Sequence, residues 1–274
     1  MRLRFAMRLE IREATLIVEN KKRTLVLADL HLGIEDELRQ RGINIGSQTN
    51  KILERILTCV RVTEPDVIVL LGDIKHAVPG VSYRNRTEVP LFLASLAEYA
   101  PVYVVKGNHD SHLEGLMPEE AIASVQLQHE VSLERTRGFI FDGVGYTHGH
   151  TWPLQELFSA DYIMIGHNHP MIRLESRGTG YTKMMSVLIR AKCSYNAVTQ
   201  YYSRDRDRDI NIDCWNDPWV IIMPAFNEIC GGVAFNSPDL KLMGPIASKL
   251  ILKSTMEAYL LDGTYLGRVV DLDR

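Results

Sequence analysis

Eight of the nine histidines fall in or just behind five short corners rich in aspartate, asparagine and glycine. The corners are "ADLHLG" (28–33), "LLGD" (70–73) with His76 after it, "GNHD" (107–110) with His112 after it, "YTHGHT" (146–151) and "GHNHP" (166–170), and only His129 stands apart. Unrelated surface or core histidines would explain any one of these but not their grouping. Neutral imidazole is the commonest protein metal ligand. Imidazole mixed with carboxylate and amide oxygen is wrong for an oxygen-only calcium cage and disfavours magnesium. It suits Mn²⁺, Fe, Zn²⁺ or Ni²⁺.

Taken singly, each corner has a plainer reading. Asp29 and His31 lie two apart at the end of an apolar run, so on a strand both side chains would project to one face, although D-x-H is common by chance. Asp73 follows Gly72 at a second strand end, where active sites of α/β sheets gather, yet it could equally cap a helix. Asn108 and His109 follow a third run, and Gly-Asn is good turn chemistry. Together, converging corners would collect Asp29, His31, Asp73, Asn108, His148, His167 and His169. That is too many for one tetrahedral zinc but suits two ions about 3.5–4 Å apart sharing a bridging carboxylate, for which Asp73 is the natural choice. Two divalent ions against two carboxylates leave positive charge to bind a phosphate and to lower the pKa of bound water. His109 is left over as a general acid or a transition-state cation, with Asp110 placed to orient it.

Positioning these corners requires strands that end at them. Apolar runs occur at "TLVLADLHLG" (24–33), "DVIVLLGD" (66–73), "PVYVVKGNHD" (101–110), "FIFDGVGYTHGH" (139–150) and "DYIMIGHNH" (161–169). Residues 47–62 predict a helix, with Ile52, Leu53, Ile56, Leu57 and Val60 on one stripe behind a Ser47 cap, and 86–99 reads similarly. Near-continuous apolar strands point to a sheet buried on both faces. Beyond residue 130 the pattern turns to strands, including "WVIIMPAF" (219–226) and a hairpin around Asp262-Gly263. Periodicity weakens over 176–217. With no repeat and no low-complexity linker, the expectation is one domain over 1–274, with a family-specific insertion at about 176–217.

The chain has 274 residues, 46% of them apolar and 24% charged, the balance of a globular protein with a large core. A net charge of −3 gives no global field to recruit nucleic acid or anionic membrane, so a phosphate-bearing substrate needs a local site. Four scattered cysteines without a C-x-x-C pair suggest neither a zinc ribbon nor a disulfide framework. No apolar run approaches membrane-spanning length, and "MRLRFAMRLEIRE" lacks a signal-peptide core. A soluble, cytoplasmic protein is expected.

The ordered set D-x-H, G-D, G-N-H-D, H-G-H and G-H-x-H over residues 29–169 resembles the calcineurin-like metallophosphoesterase superfamily. "GDIKH" and "IIMPAFNEICGG" (221–232) add a narrower likeness to archaeal SbcD-related phosphoesterases and their DNA-ligase- and helicase-associated relatives. The resemblance implies a four-layer α/β/β/α sandwich. It implies one ion on Asp29, His31, Asp73 and His169, a second on Asp73, Asn108, His148 and His167, and His109 as the catalytic histidine. His150 would lie beside the centre, and His76 and His112 at its rim or behind its ligands.

The function implied is hydrolysis of phosphodiester bonds by a bridging hydroxide on a two-metal centre, Mn²⁺ being favoured. The leading substrate is DNA, cut as an endo- or exonuclease in repair, with single-stranded DNA and a helicase or ligase as partners. The alternative is a small-substrate nucleotide phosphodiesterase or phosphomonoesterase, which the acidic balance favours. A scaffold that has lost catalysis is a third reading, opposed by the intact His109 and ligand set. If "SRDRDRDI" were a strand, Arg204, Arg206 and Arg208 would share a face and could track a phosphate backbone, though a self-neutralising loop explains it better. Arg84 and Arg86 are other weak substrate candidates.

Overall fold

A computed structural model describes residues 7–123, 125–175, 180–202 and 215–272 of the protein. The arginine and aspartate run at 204–209 lies outside the described residues. The chain divides into two compact units, Met1–Arg135 with Phe226–Cys230, and Thr136–Ala225 with Gly231–Arg274. Among the described residues no helix is long and apolar enough to cross a membrane.

The first unit carries β1 (Arg8–Arg12), β2 (Thr15–Glu19), β3 (Arg23–Leu27), α1 (Ile34–Gln40), α2 (Thr49–Thr63), β4 (Val67–Leu71), α3 (Tyr83–Leu96), β5 (Val102–Val105), α4 (Pro118–Ala121) and β6 (Val131–Glu134). Its sheet runs β1-β2-β3-β4-β5-β6. The first three strands are antiparallel hairpin neighbours, whereas β3 to β6 are parallel. Every residue of β4 is buried, as expected for a parallel strand covered on both faces. Burial of each such Val, Leu or Ile contributes about 1.5–3 kcal/mol. Parallel pairing has one further effect: β3, β4 and β5 all end on the same sheet edge. The corners "ADLH", "GD" and "GNHD" leave from that edge.

The helices follow the periodicity with shifted starts. In α2 four residues of the expected stripe, Ile52, Ile56, Leu57 and Val60, are buried, and the fifth, Leu53, is half-buried. Its N-cap is Gln48 rather than Ser47, although the Ser47 hydroxyl still accepts from the Thr49 N–H at 3.4 Å. The helix expected over 86–99 begins three residues earlier, because Ser82 supplies a true cap, its hydroxyl accepting from the Asn85 N–H at 3.1 Å.

The second unit carries β7 (Phe139–Phe141), β8 (Val144–Tyr146), β9 (Tyr162–Ile165), β10 (Pro170–Glu175), β11 (Thr182–Lys192), α5 (Tyr195–Tyr202), β12 (Trp219–Ile222), β13 (Val233–Ala234), β14 (Glu257–Leu260) and β15 (Tyr265–Arg268). Strands β8, β9 and β12 are parallel neighbours, and β11 pairs antiparallel with β10, β12 and β14. The single run expected over 139–150 is a hairpin, because Asp142 and Gly143 both adopt positive φ and turn the chain back. The hairpin expected around Asp262-Gly263 is present between β14 and β15. The weakly periodic region contributes ordered structure in its described part, since it holds the long central strand β11 and α5. A buried cluster including Ile163, Ile165, Val187, Ile189, Val220, Ile222 and Phe235 fills this unit. The mixed α/β class is thus observed.

Candidate metal centre

The corner residues of the first unit do not continue their strands. Strand β3 stops at Leu27, and Asp29 and His31 have φ of 56° and 44°, so the alternation expected to place them on one face does not operate there. Asp73 shares this left-handed backbone, with φ 49°. Backbone bonding holds the turn: His31 N–H donates to Asp73 C=O at 2.8 Å and Leu32 N–H to Ile74 C=O at 2.8 Å. Aspartate and histidine tolerate positive φ better than most residues, and such strained backbone clusters at functional sites.

Inside this scaffold Asp29, His31 and Asp73 are buried. The Asp73 carboxylate places Oδ2 3.5 Å from His31 Nε2, and Oδ1 accepts from the His109 N–H at 2.9 Å. Gly107 provides the room, since a Cβ there would collide with the Asp73 backbone N and Oδ1. Asn108 is exposed on the adjoining turn and His109 is half-buried. His31, His76 and His109 each offer a ring nitrogen within 4.8 Å of the others. His112 is exposed at the head of a short turn.

Two expected roles change. The His109 ring directs Nδ1 to the His76 carbonyl at 2.7 Å, so a backbone oxygen orients it. Asp110, expected to do so, is fully buried and accepts from the N–H groups of Ile74 at 2.9 Å, Lys75 at 3.2 Å and Gly107 at 2.8 Å. It ties the "GD" corner to the "GNHD" corner. Arg84, offered as a substrate contact, is drawn instead to buried Glu35 at 2.9 Å, with Asp36 and Glu88 beside it. Arg86 is exposed.

Sequence reasoning missed three residues of this unit. Lys75 is fully buried, its Nζ donating to the carbonyls of His109 at 2.5 Å and Ala77 at 2.7 Å. Desolvation lowers its pKa, against the pull of Asp110 and Asp73. Asn227 arrives from late in the chain and donates to Leu30 C=O at 2.9 Å, bracing the Asp29 loop. Glu37, on α1, accepts from His76 Nε2 at 2.6 Å, and that hydrogen bond is the main cause of its lowered pKa. Lys75 and Asn227 stood inside quoted motifs, whereas nothing local marked Glu37.

The second unit gathers the other histidines. The rings of His148 and His167 lie 5.0 Å apart, those of His148 and His150 5.1 Å, and those of His150 and His167 6.0 Å. His148 is buried, and Gly149 turns the chain between the pair with φ 100°. In "GHNHP" both His167 and His169 have positive φ. Between them lies Asn168, buried and not singled out from the sequence, which bonds Met243 through both ends of its amide, at 2.8 and 3.2 Å. This pair of bonds fixes the backbone between the two histidines. In both units the donors are imidazoles joined in the first by carboxylates, a set that fits divalent transition metals.

Residues 22–224 match the calcineurin-like phosphoesterases, which defines the class as metal-dependent hydrolase. The chain belongs to the calcineurin-like phosphoesterase family. It is also similar to the Pseudomonas putida nuclease MPE, at 17% identity and TM-score 0.47, covering 93% of this chain and 97% of that one. The Yfce phosphoesterase of E. coli is similar at 13% identity and TM-score 0.40, covering 89% of this chain and 96% of that one.

Proposed function

We propose that the protein hydrolyses phosphodiester bonds at a two-metal centre. One ion is assigned to Asp29, His31, Asp73 and His169, and the other to Asp73, Asn108, His148 and His167. The observation that carries the reading is the Asp73 carboxylate, which lies beside His31 Nε2 with one oxygen and accepts the His109 N–H with the other. The proposed metal-binding corner and the corner that carries the candidate proton donor are thereby joined by a hydrogen bond. When bound, the ions supply a water nucleophile at neutral pH and positive charge against the phosphate. His109, its Nδ1–H committed to the His76 carbonyl, has Nε2 left to hold a proton for the leaving oxygen. Asp110 positions the loop that carries it.

The finer reading is a nuclease on DNA, single strands included, acting in repair beside a helicase or ligase in the cytoplasm, with Mn²⁺ as the metal. It is supported by the likeness of the "GDIKH" and "IIMPAFNEICGG" segments to SbcD-related phosphoesterases. One observation favours the small-substrate alternative: Arg84 is neutralised by Glu35, Asp36 and Glu88, which removes one cation from a nucleic-acid track. The single domain with an insertion at about 176–217 belongs to the same reading. The test is Mn²⁺-dependent hydrolysis compared across a chromogenic diester, its monoester, a cyclic nucleotide and single- and double-stranded DNA. Cleavage of DNA and the diester is expected; turnover of the monoester alone would overturn the nuclease reading.

A further inference from the structure

His76 faces two residues of the proposed chemistry and one carboxylate outside it, using three different atoms. Its Nδ1 lies 3.2 Å from His31 Nδ1, its Nε2 lies 2.6 Å from Glu37 Oε2, and its backbone carbonyl lies 2.7 Å from His109 Nδ1. The His31 and His76 rings meet edge-on at 64°, and those of His76 and His109 are nearly parallel at 23°. Two imidazole nitrogens at this separation share one proton, since two hydrogens or two lone pairs would repel. A carboxylate can only accept, so His76 Nε2 carries hydrogen and a neutral His76 presents a lone pair at Nδ1. The shared proton then belongs to His31 Nδ1. That leaves the His31 lone pair on Nε2, the atom 3.5 Å from Asp73 Oδ2.

We propose that Glu37 and His76 form a hydrogen-bonded relay that locks His31 in the tautomer presenting Nε2 to metal, while the His76 carbonyl sets the orientation of His109. The inference rests on the reading of His31 as a ligand. The relay uses an acceptor on the remote nitrogen of a ligating histidine, the arrangement that fixes ring orientation and raises ligand basicity at metal sites. Glu37 is itself paired with Arg41, Nη2 to Oε1 at 2.5 Å, so the relay ends on a charge at the surface. His76 and Glu37 are positioning residues, since neither needs to touch substrate.

The test has two arms. In metal-free protein, ¹⁵N-edited spectra of the imidazole rings should show hydrogen on Nδ1 of His31 and on Nε2 of His76. Hydrogen on Nδ1 of His76, or on both of its nitrogens, would reverse His31 and overturn the relay. In the second arm, Co²⁺ binding is followed by visible absorption in wild type, His76→Phe, Glu37→Ala and Glu37→Gln. The phenylalanine keeps the ring volume and the carbonyl that holds His109 but removes both side-chain bonds. Affinity should fall about 10- to 100-fold in His76→Phe and Glu37→Ala, with a shifted d–d band, and recover in part in Glu37→Gln, which keeps an acceptor oxygen. Unchanged affinity and spectra in all variants would overturn the relay. Complete loss of an ion in His76→Phe alone would also overturn it, by making His76 a ligand. A wild-type protein that takes up no Co²⁺ would overturn the assignment of His31 as a ligand, whatever tautomers the ¹⁵N spectra show.

Discussion

Replacing Asp110 with asparagine separates loop organisation from direct catalysis. The carboxylate is fully buried and takes three backbone N–H groups, two on Oδ1 at 2.9 and 3.2 Å and one on Oδ2 at 2.8 Å. An asparagine oxygen placed at Oδ1 can keep the first two, now without charge, but its amide then points N–H at the N–H of Gly107. Loss of one charge-assisted bond together with an unsatisfied buried donor costs about 2–4 kcal/mol. Lys75 also loses a neighbouring negative charge. Alanine would orphan all three donors at about 1–3 kcal/mol each, a large share of a typical domain's total of about 5–15 kcal/mol. The assay is urea unfolding with chelator present, so that metal binding does not enter, comparing midpoints at constant m. The asparagine variant should unfold at markedly lower urea. Wild-type stability combined with lost turnover would refute the organising role and return Asp110 to the chemistry.

Other outcomes follow from the same geometry. His109→Ala should lower turnover about 10²- to 10⁴-fold while keeping bound metal at wild-type stoichiometry, checked by kinetics and elemental analysis; loss of metal would mean that a ligand was removed. Gly107→Ala should destabilise by about 1–3 kcal/mol and weaken metal binding, because its Cβ must displace the Asp73 corner; unaltered melting and Mn²⁺ titration would refute the tight approach. Burial raises the Cys193 thiol from 9.0 to about 12, so the folded protein retains a proton that the unfolded chain releases. The stability this contributes is present below pH 9.0 and is lost as pH rises towards about 12, by about 1.4 kcal/mol per unit. Urea midpoints should therefore fall more steeply with alkaline pH in wild type than in Cys193→Ala, and parallel profiles would contradict the burial.

The candidate residues were legible from residue type, because histidine, aspartate and asparagine after apolar runs are rare enough to stand out as a group. The parallel core was legible for a similar reason, since Val67–Leu71 has no polar residue and must be covered on both faces. The backbone was not. Asp29, His31, Asp73, His167 and His169 all take positive φ, and period-two reasoning has no means of anticipating a left-handed turn without glycine. Roles that depend on long-range approach also escaped, as with Asp110, whose partners Ile74 and Lys75 lie 36 and 35 residues away. Asn227 reaches Leu30 across 197 residues, and Glu37 reaches His76 across 39. Strand β11 was hidden because its first three residues, from Thr182, are exposed and its first half carries no alternation.

The most direct test of the central claim is turnover of a chromogenic phosphodiester by metal-free protein titrated with Mn²⁺, run in parallel on wild type and Asp73→Asn. Two ions sharing Asp73 predict no turnover before addition, a rise that saturates at two equivalents per chain in wild type, and loss of both tight equivalents in the variant. Full turnover in chelator, saturation at one equivalent, or an Asp73→Asn protein that keeps one tight ion would contradict it.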